Sequence, residues 1–302
     1  MSLLHSFAKR AADTIEVEIP SWGWIIFLID ALILIPVFIF VQYTITYVFP
    51  VFAIIENENP PAYDPIDISE DASPSPPLKR TLPSPKRLLK AHGGFRALFR
   101  GLFCAVAISV MTSFITLFYS NIPYATVASL VASLVLAQFS AAWVHIIITP
   151  QSPLPFWRRL PGFSRALTAT WRPIILDWAA IQVAQLLPLA LGLLMGVDFD
   201  DVRFAELANV SRISRIGNKE TVYLTKCLII TLFSTLLHIF AVIPAKVILI
   251  RIQASLLPAE QDTIIPFDRS FDGKVEPAVV GGRGWASISD AWSTFSPPAG
   301  VA

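Results

Sequence analysis

Charge, sulfur and histidine are all scarce in this chain. Of its 302 residues only 15% are Asp, Glu, Lys or Arg, two are cysteine and four are histidine. The net charge of +1 leaves no basic surface on which a phosphate backbone could dock, which argues against nucleic acid as a partner. Cys104 and Cys227 both fall inside apolar runs and read as small buried residues, so neither a disulfide framework nor a metal site is expected. Neither supplies the exposed thiol that a thioester relay needs. The sequence has no Gly-Lys-Ser/Thr phosphate loop, no His-Glu-x-x-His, no Gly-x-Ser-x-Gly and no aqueous Cys/His pair. The expectation is a protein that is not an enzyme and has no catalytic residue. The first twenty residues lack the apolar core of a secretory signal, and Asp13, Glu16 and Glu18 are too acidic for an ordinary mitochondrial presequence.

Long apolar runs are what the chain has instead. Five of them span Ser21–Ile55, Leu102–Ser120, Tyr124–Ile148, Ile174–Val197 and Val222–Ile250, and the mean hydropathy is +0.62. About 20 apolar residues cross a bilayer, and backbone polar groups in lipid must be satisfied within the segment, which dictates helices. The pattern predicts an all-α, multi-pass helical membrane protein with five transmembrane helices. Its membrane domain covers residues 21–257, after an N-terminal segment 1–20. Pro36 and Pro50 predict a kinked or tilted first span. Residues 56–90, rich in Pro and Ser, read as a disordered loop, and 258–302 as a disordered Pro/Gly-rich tail. The second and third spans, joined only by Asn121–Pro123, form a tight antiparallel pair. Fifteen Lys and Arg fall on one side of this arrangement against seven on the other. That bias places the first, third and fifth connections in cytosol or mitochondrial matrix, hereafter the cis side.

Ionisable residues at membrane depth cost about 2.5–3.5 kcal/mol each and mark candidate sites. They are Asp30, His145, Asp177, His238 and Lys246. Asp30 is near enough to the trans end to snorkel. Asp177 suits a local partner in Arg172 or a cross-helix partner in Lys246. His145 and His238 read either as neutral hydrogen-bonded core residues or as proton or solute ligands. Gln182 and Gln185, on one face of the fourth span, suit inter-helix hydrogen bonds. Small residues at Ala128, Ala132, Ser133, Ser140, Ala141 and Ala142 suit close helix packing.

Several segments recur at roughly hundred-residue spacing. Prolines at Pro50 and Pro244 sit near the cis ends of long spans, and Trp143 to Gln151 parallels Ala245 to Gln253. Phe99-Arg100 and Trp171-Arg172 each precede an even span. Gly94-Phe95-Arg96-Ala97-Leu98-Phe99-Arg100-Gly101 has the order Gly-x-x-x-x-aromatic-basic-Gly, with Gly93 where an acid would stand. Phe199-Asp200-Asp201-Val202-Arg203 has the order aromatic-acid-x-x-basic. With these segments the chain resembles the mitochondrial carrier family.

That resemblance implies carrier-like helical pairs, residence in the mitochondrial inner membrane and transport of a small anionic or zwitterionic solute. It implies a trans gate at Asp200 and Arg203, and cis-end residues Pro244, Lys246, Arg251 and Gln253. It also implies a structural cardiolipin, or another anionic lipid, at Gly94, Phe99, Arg100 and Gly101, with Trp171 and Arg172 as the second aromatic-basic pair. The lipid reading has independent physics, since a helix start offers free N–H groups and a positive dipole end to a phosphate. The family's acidic ring positions hold Phe52, Val144 and Lys246 here, and its first basic positions Ile55, Ile147 and Leu249. A ring so composed closes by packing rather than by ion pairs. No sixth apolar span follows, so the resemblance is to an incomplete carrier. The alternative is a non-transporting membrane scaffold or assembly factor that holds protein partners through residues 56–90.

Overall fold

A computed structural model describes residues 22–55, 99–119, 125–150, 152, 155–197, 218–258, 261–265, 267–276 and 280–295. All regular structure among the described residues is helical. The loop 56–90, Gly94 and the gate residues Asp200 and Arg203 lie outside the described residues.

The chain divides into two units, residues 1–47 and 48–302. In the first, helix α1 (Gly23–Ile39) leads into a π-helical stretch, Phe40–Val48. Asp30 is exposed on α1, among outward-facing Phe27, Leu28 and Leu32.

The second unit begins with α2 (Phe49–Ile55) and α3 (Leu102–Tyr119). α4 (Ala125–Val135) and α5 (Ala137–Ile148) form a pair bent by 61° at Leu136. A 3₁₀ turn, Phe156–Arg159, leads to α6, which runs unbroken over 32 residues from Phe163 to Leu194. α7 (Asn218–Leu237) passes through a π-helical turn, His238–Val242, into α8 (Ile243–Ser255), and α9 is Ile288–Ser293.

The π turn has a local cause. Pro244 lacks the N–H that an α-helix would send back to Phe240, and its ring crowds that carbonyl, so the backbone widens just upstream. Pro50 likewise follows a π-helical stretch, so the recurring prolines of the sequence share one backbone consequence.

Two helices are long and apolar enough to cross a membrane, Phe163–Leu194 and Thr221–Ser255, or three if the bent α4–α5 pair is one span. Their outer faces are apolar and exposed, as Leu224, Leu228, Leu232, Leu236 and Phe240 show at four-residue intervals. A chain in water would bury such a stripe, whereas lipid solvates it. The fourth span starts eleven residues before the expected Ile174, because the helix continues past its apolar part through Trp171, Arg172 and Pro173.

The expected disorder of the tail is corrected where residues are described. Phe271, Ala286 and Ala291 are buried in one cluster with Ile248 and Ile252 of α8, Leu256 just after it, Ala141 of α5 and Ala169 of α6. The tail carries just enough widely spaced apolar side chains to cover the end of α8. Its Gly/Pro content serves turns, including a left-handed run at Phe271, Asp272 and Gly273. Gly282 is required by close approach, since a Cβ there would run into the backbone of Glu276. The segment is tied by Ile264 N–H to the Ile148 carbonyl at 2.8 Å and Ala286 N–H to Ser255 Oγ at 3.1 Å.

Helix α9 opens with a reciprocal capping box: Ser287 Oγ accepts from Asp290 N–H while Asp290 Oδ2 accepts from Ser287 N–H. The Ser287 hydroxyl also donates to Asp290 Oδ2 at 2.6 Å, and this bond first, then the backbone one, holds the Asp290 carboxyl below its usual range. Ser287→Ala is expected to weaken tail docking by about 1 kcal/mol. Because the folded carboxyl titrates lower than the unfolded one, this contribution is complete above the unfolded value near pH 4 and lost as pH falls through the folded value. Proteolysis of the tail at pH 7 and pH 3 checks both points. Equal protection of parent and variant at pH 7 would remove the capping box from the account.

Candidate functional site

Among the described residues, the helices of the second unit bring one ion pair together across α6 and α8. Lys246 Nζ donates to Asp177 Oδ2 at 2.7 Å, joining α8 to α6. Asp177 therefore takes the cross-helix partner. Arg172 instead lies exposed over the ring of Trp171, 5.0 Å from its centroid. The two ends of the pair are unequal: the Asp177 side chain is 11% exposed and that of Lys246 45%. Asp177 Oδ1 is buried and has no hydrogen-bond partner among the described residues. This carboxylate is thus half satisfied, while the ammonium keeps two donors in an accessible place.

The pair borders a cavity of about 520 Å³, within the size range of small-molecule sites. One wall is a single stripe of α6: Ile174, Asp177, Trp178, Ile181, Gln182 and Gln185. These positions recur at three- and four-residue steps, so they share one helical face. Facing them are Thr126, Ser129 and Ser133 of α4, Leu136 at the bend and Ser140 of α5. Ile108 and Thr112 of α3 and Leu249 of α8 complete the lining. The Trp178 indole N–H is shared between the Thr126 carbonyl at 3.0 Å and Ser129 Oγ at 3.1 Å, which fixes the ring against α4. Gln182 and Gln185 make no hydrogen bond among the described residues, so the expected inter-helix bonding by these amides is corrected: they face the cavity. Ser133 and Ser140 also line it, whereas Ala128, Ala132, Ala141 and Ala142 are buried at helix contacts.

The other sequence candidates do different work. His145 and Gln253 are buried, and His145 Nε2 lies 2.8 Å from the Gln253 carbonyl. A carbonyl only accepts, so Nε2 carries the proton. Gln253 Nε2 donates in turn to Ser140 Oγ at 2.9 Å, locking α5 to α8 beside the cavity. His238 is exposed and its Nδ1 donates to Ser234 one turn back, which places it outside the cavity.

Arg251 is a clasp near the C-terminal end of α8. It donates to the Ile54 carbonyl at 3.2 Å, to the Thr294 carbonyl at 3.2 Å and to Thr294 Oγ1 at 2.8 Å. Its guanidinium also lies over the rings of Phe271 and Phe295, at 5.2 and 5.8 Å. Around it, Phe52, Ile55, Val144 and Ile147 are essentially inaccessible, with Leu249 also buried. Their helices α2, α5 and α8 pack on one another.

Arg100 sits just before α3 and is buried. It donates to the Thr149 carbonyl at 2.7 Å, at the C-terminus of α5, where a cation suits the dipole. Burial first, then the nearby Arg159 guanidinium, hold it below the usual arginine range, and Arg159 itself donates to Thr149 Oγ1. The half-buried Phe99 precedes it. Gly101 has φ +73°, a conformation that favours glycine regardless of any phosphate. Trp171 and Arg172 lie well inside α6, so the expected anion cradle at a helix start is corrected for that pair.

Trp178, Thr112, Thr126 and Ser129 escaped the sequence reading. The three-and-four spacing of the α6 stripe was the available signal, and it needs the helical phase to be read. Set against protein-family models, curated proteins and solved structures, the chain matches none.

Proposed function

We propose that this chain is an integral membrane protein that passes a small polar solute through the cavity between α3, α4, α5, α6 and α8. The carrying observation is the polar stripe of α6, where Asp177, paired with Lys246 of α8, and two amides without a hydrogen bond among the described residues line one cavity wall. Polar groups at membrane depth are expensive, and their concentration on one cavity wall is accounted for by a solute that uses them. The dry packing of Phe52, Val144 and Ile147 suits a closed cis end below an occupied site. The five-span, carrier-like arrangement and residence in the mitochondrial inner membrane belong to the same proposal and rest on the glycine-aromatic-basic and Pro244 segments.

Two experiments test it. Fractionation of the tagged full chain with carbonate extraction is expected to leave it in mitochondrial inner membrane. Recovery in another membrane overturns the organellar part. Proteoliposomes are then offered labelled L-glutamine, succinate and glucose in turn. At least one is expected to enter faster than into protein-free vesicles, and Lys246→Ala to lower that rate by about tenfold or more, as for loss of a charged hydrogen-bonding partner. Protein-free rates for all three would end the transport reading, and flux unchanged in Lys246→Ala would remove Lys246 from the pathway.

A further inference from the structure

We infer that the occupant of the cavity is a zwitterionic amino compound with a polar, uncharged remainder, seated by inserting its two charges into the Asp177–Lys246 pair. This inference rests on the transport reading above and names its substrate class. The first argument is charge balance. Among the described residues the lining holds one carboxylate and one ammonium and no further ionisable group. A lone anion or cation would bring an uncompensated charge into a low-dielectric space, whereas a zwitterion brings none.

The second argument is valence. Asp177 has one oxygen satisfied and one buried without a donor, while Lys246 spends one of three donors on the pair and is half exposed. A solute ammonium that takes over Oδ2 frees Lys246 to receive the solute carboxylate. The 2.7 Å bond is then exchanged for two of the same kind, with every charge still paired. The exchange transfers no proton and breaks no covalent bond. It requires N–H donors on the solute, so a quaternary amine with the same two charges would satisfy Lys246 and leave Asp177 bare.

The third argument concerns the remainder of the solute. Past the ion pair, the α6 face continues with Gln182 and Gln185, whose amides have no hydrogen bond among the described residues. Ser129 and Ser133 stand on the facing wall. Groups of this kind accept and donate without carrying charge. The glutamine amides fit an amide or hydroxyl, and they penalise a large apolar side chain that would leave them unpaired.

The test uses the full chain in proteoliposomes with five labelled probes: L-glutamine, L-leucine, glycine betaine, succinate and glucose. L-Glutamine is expected to enter by saturable uptake about tenfold faster than each of the other four. The rate is expected not to change when a potassium diffusion potential is imposed, because the occupant is neutral overall. Gln185→Leu is expected to raise the KM for glutamine while leaving the monodisperse elution of the protein intact. It removes an amide that nothing in the described fold uses, so it remains informative if Asp177 or Lys246 variants fail to fold. Preferential uptake of succinate or glucose would overturn the substrate class while leaving transport standing. Equal uptake of glycine betaine would overturn the N–H requirement, and a rate driven by the potential would overturn the neutral occupant. Absence of uptake for all five probes would instead end the transport reading beneath the inference.

Discussion

Arg251→Ala is expected to free the C-terminal segment and to lower the stability of the purified chain by about 3 kcal/mol or more. Three charge-assisted hydrogen bonds disappear together, to the Ile54 carbonyl and to both oxygens offered by Thr294. The rings of Phe271 and Phe295 lose their cation, and truncating this buried side chain leaves a hole beside Phe271. Arg251→Lys is expected to recover only a minor part, because a point charge cannot reach two carbonyls and a hydroxyl as the planar fork does. Trypsin reads the outcome directly, since Arg269, Lys274 and Arg283 all lie in the released segment. Cleavage there and thermal unfolding are expected to change together. A variant with parent-like protection and melting would mean that apolar burial alone holds the tail.

The Asp177–Lys246 pair is expected to respond asymmetrically. Lys246→Ala strands a carboxylate that is 11% exposed and already has one unpartnered oxygen. Breaking a buried pair from one side costs about 3–5 kcal/mol, and the half-exposed lysine end argues for the lower part of that range. Asp177→Asn leaves a lysine that is 45% exposed to the cavity and can be solvated there, so about 1 kcal/mol is expected. The double variant Asp177→Asn with Lys246→Ala removes both charges and is expected to melt closer to the parent than Lys246→Ala alone does. Thermal unfolding of the four proteins gives the coupling energy, expected at about 1–2 kcal/mol. Equal losses from the two single variants would show that the carboxylate is as well solvated as the ammonium.

Much of this arrangement is visible in the residues before any coordinates. Apolar run length marks α6 and the long α7–α8 helix, and the rarity of charge at membrane depth singles out Asp177 and Lys246. Helix ends are less legible, because hydropathy follows the apolar part of a helix and α6 continues for eleven residues through a polar, basic and proline-containing stretch. Pro244 is legible as a distortion, although its form as a π turn depends on backbone geometry. The docking of the tail is illegible from composition. Phe271, Ala286 and Ala291 are isolated apolar residues whose partners sit on α8, and no local periodicity connects them. The cavity is illegible for a related reason: Ser133 and Ser140 look like packing residues until the bend at Leu136 is seen to leave both lining one cavity.

The Arg251 clasp also sets an order in time. Its two jaws are the carbonyl of Ile54, among the first parts of the second unit to be synthesised, and Thr294, made some 240 residues later. Ribosomal synthesis adds residues one after another, so Arg251 can grip the Ile54 carbonyl only after α3 to α7 are made, and Thr294 follows later still, after α9. During that interval the guanidinium has one jaw to hold and the rings of Phe271 and Phe295 are not yet in place. The contact that seals this end of the bundle is therefore the last to become available, and its closure registers that translation has reached the tail.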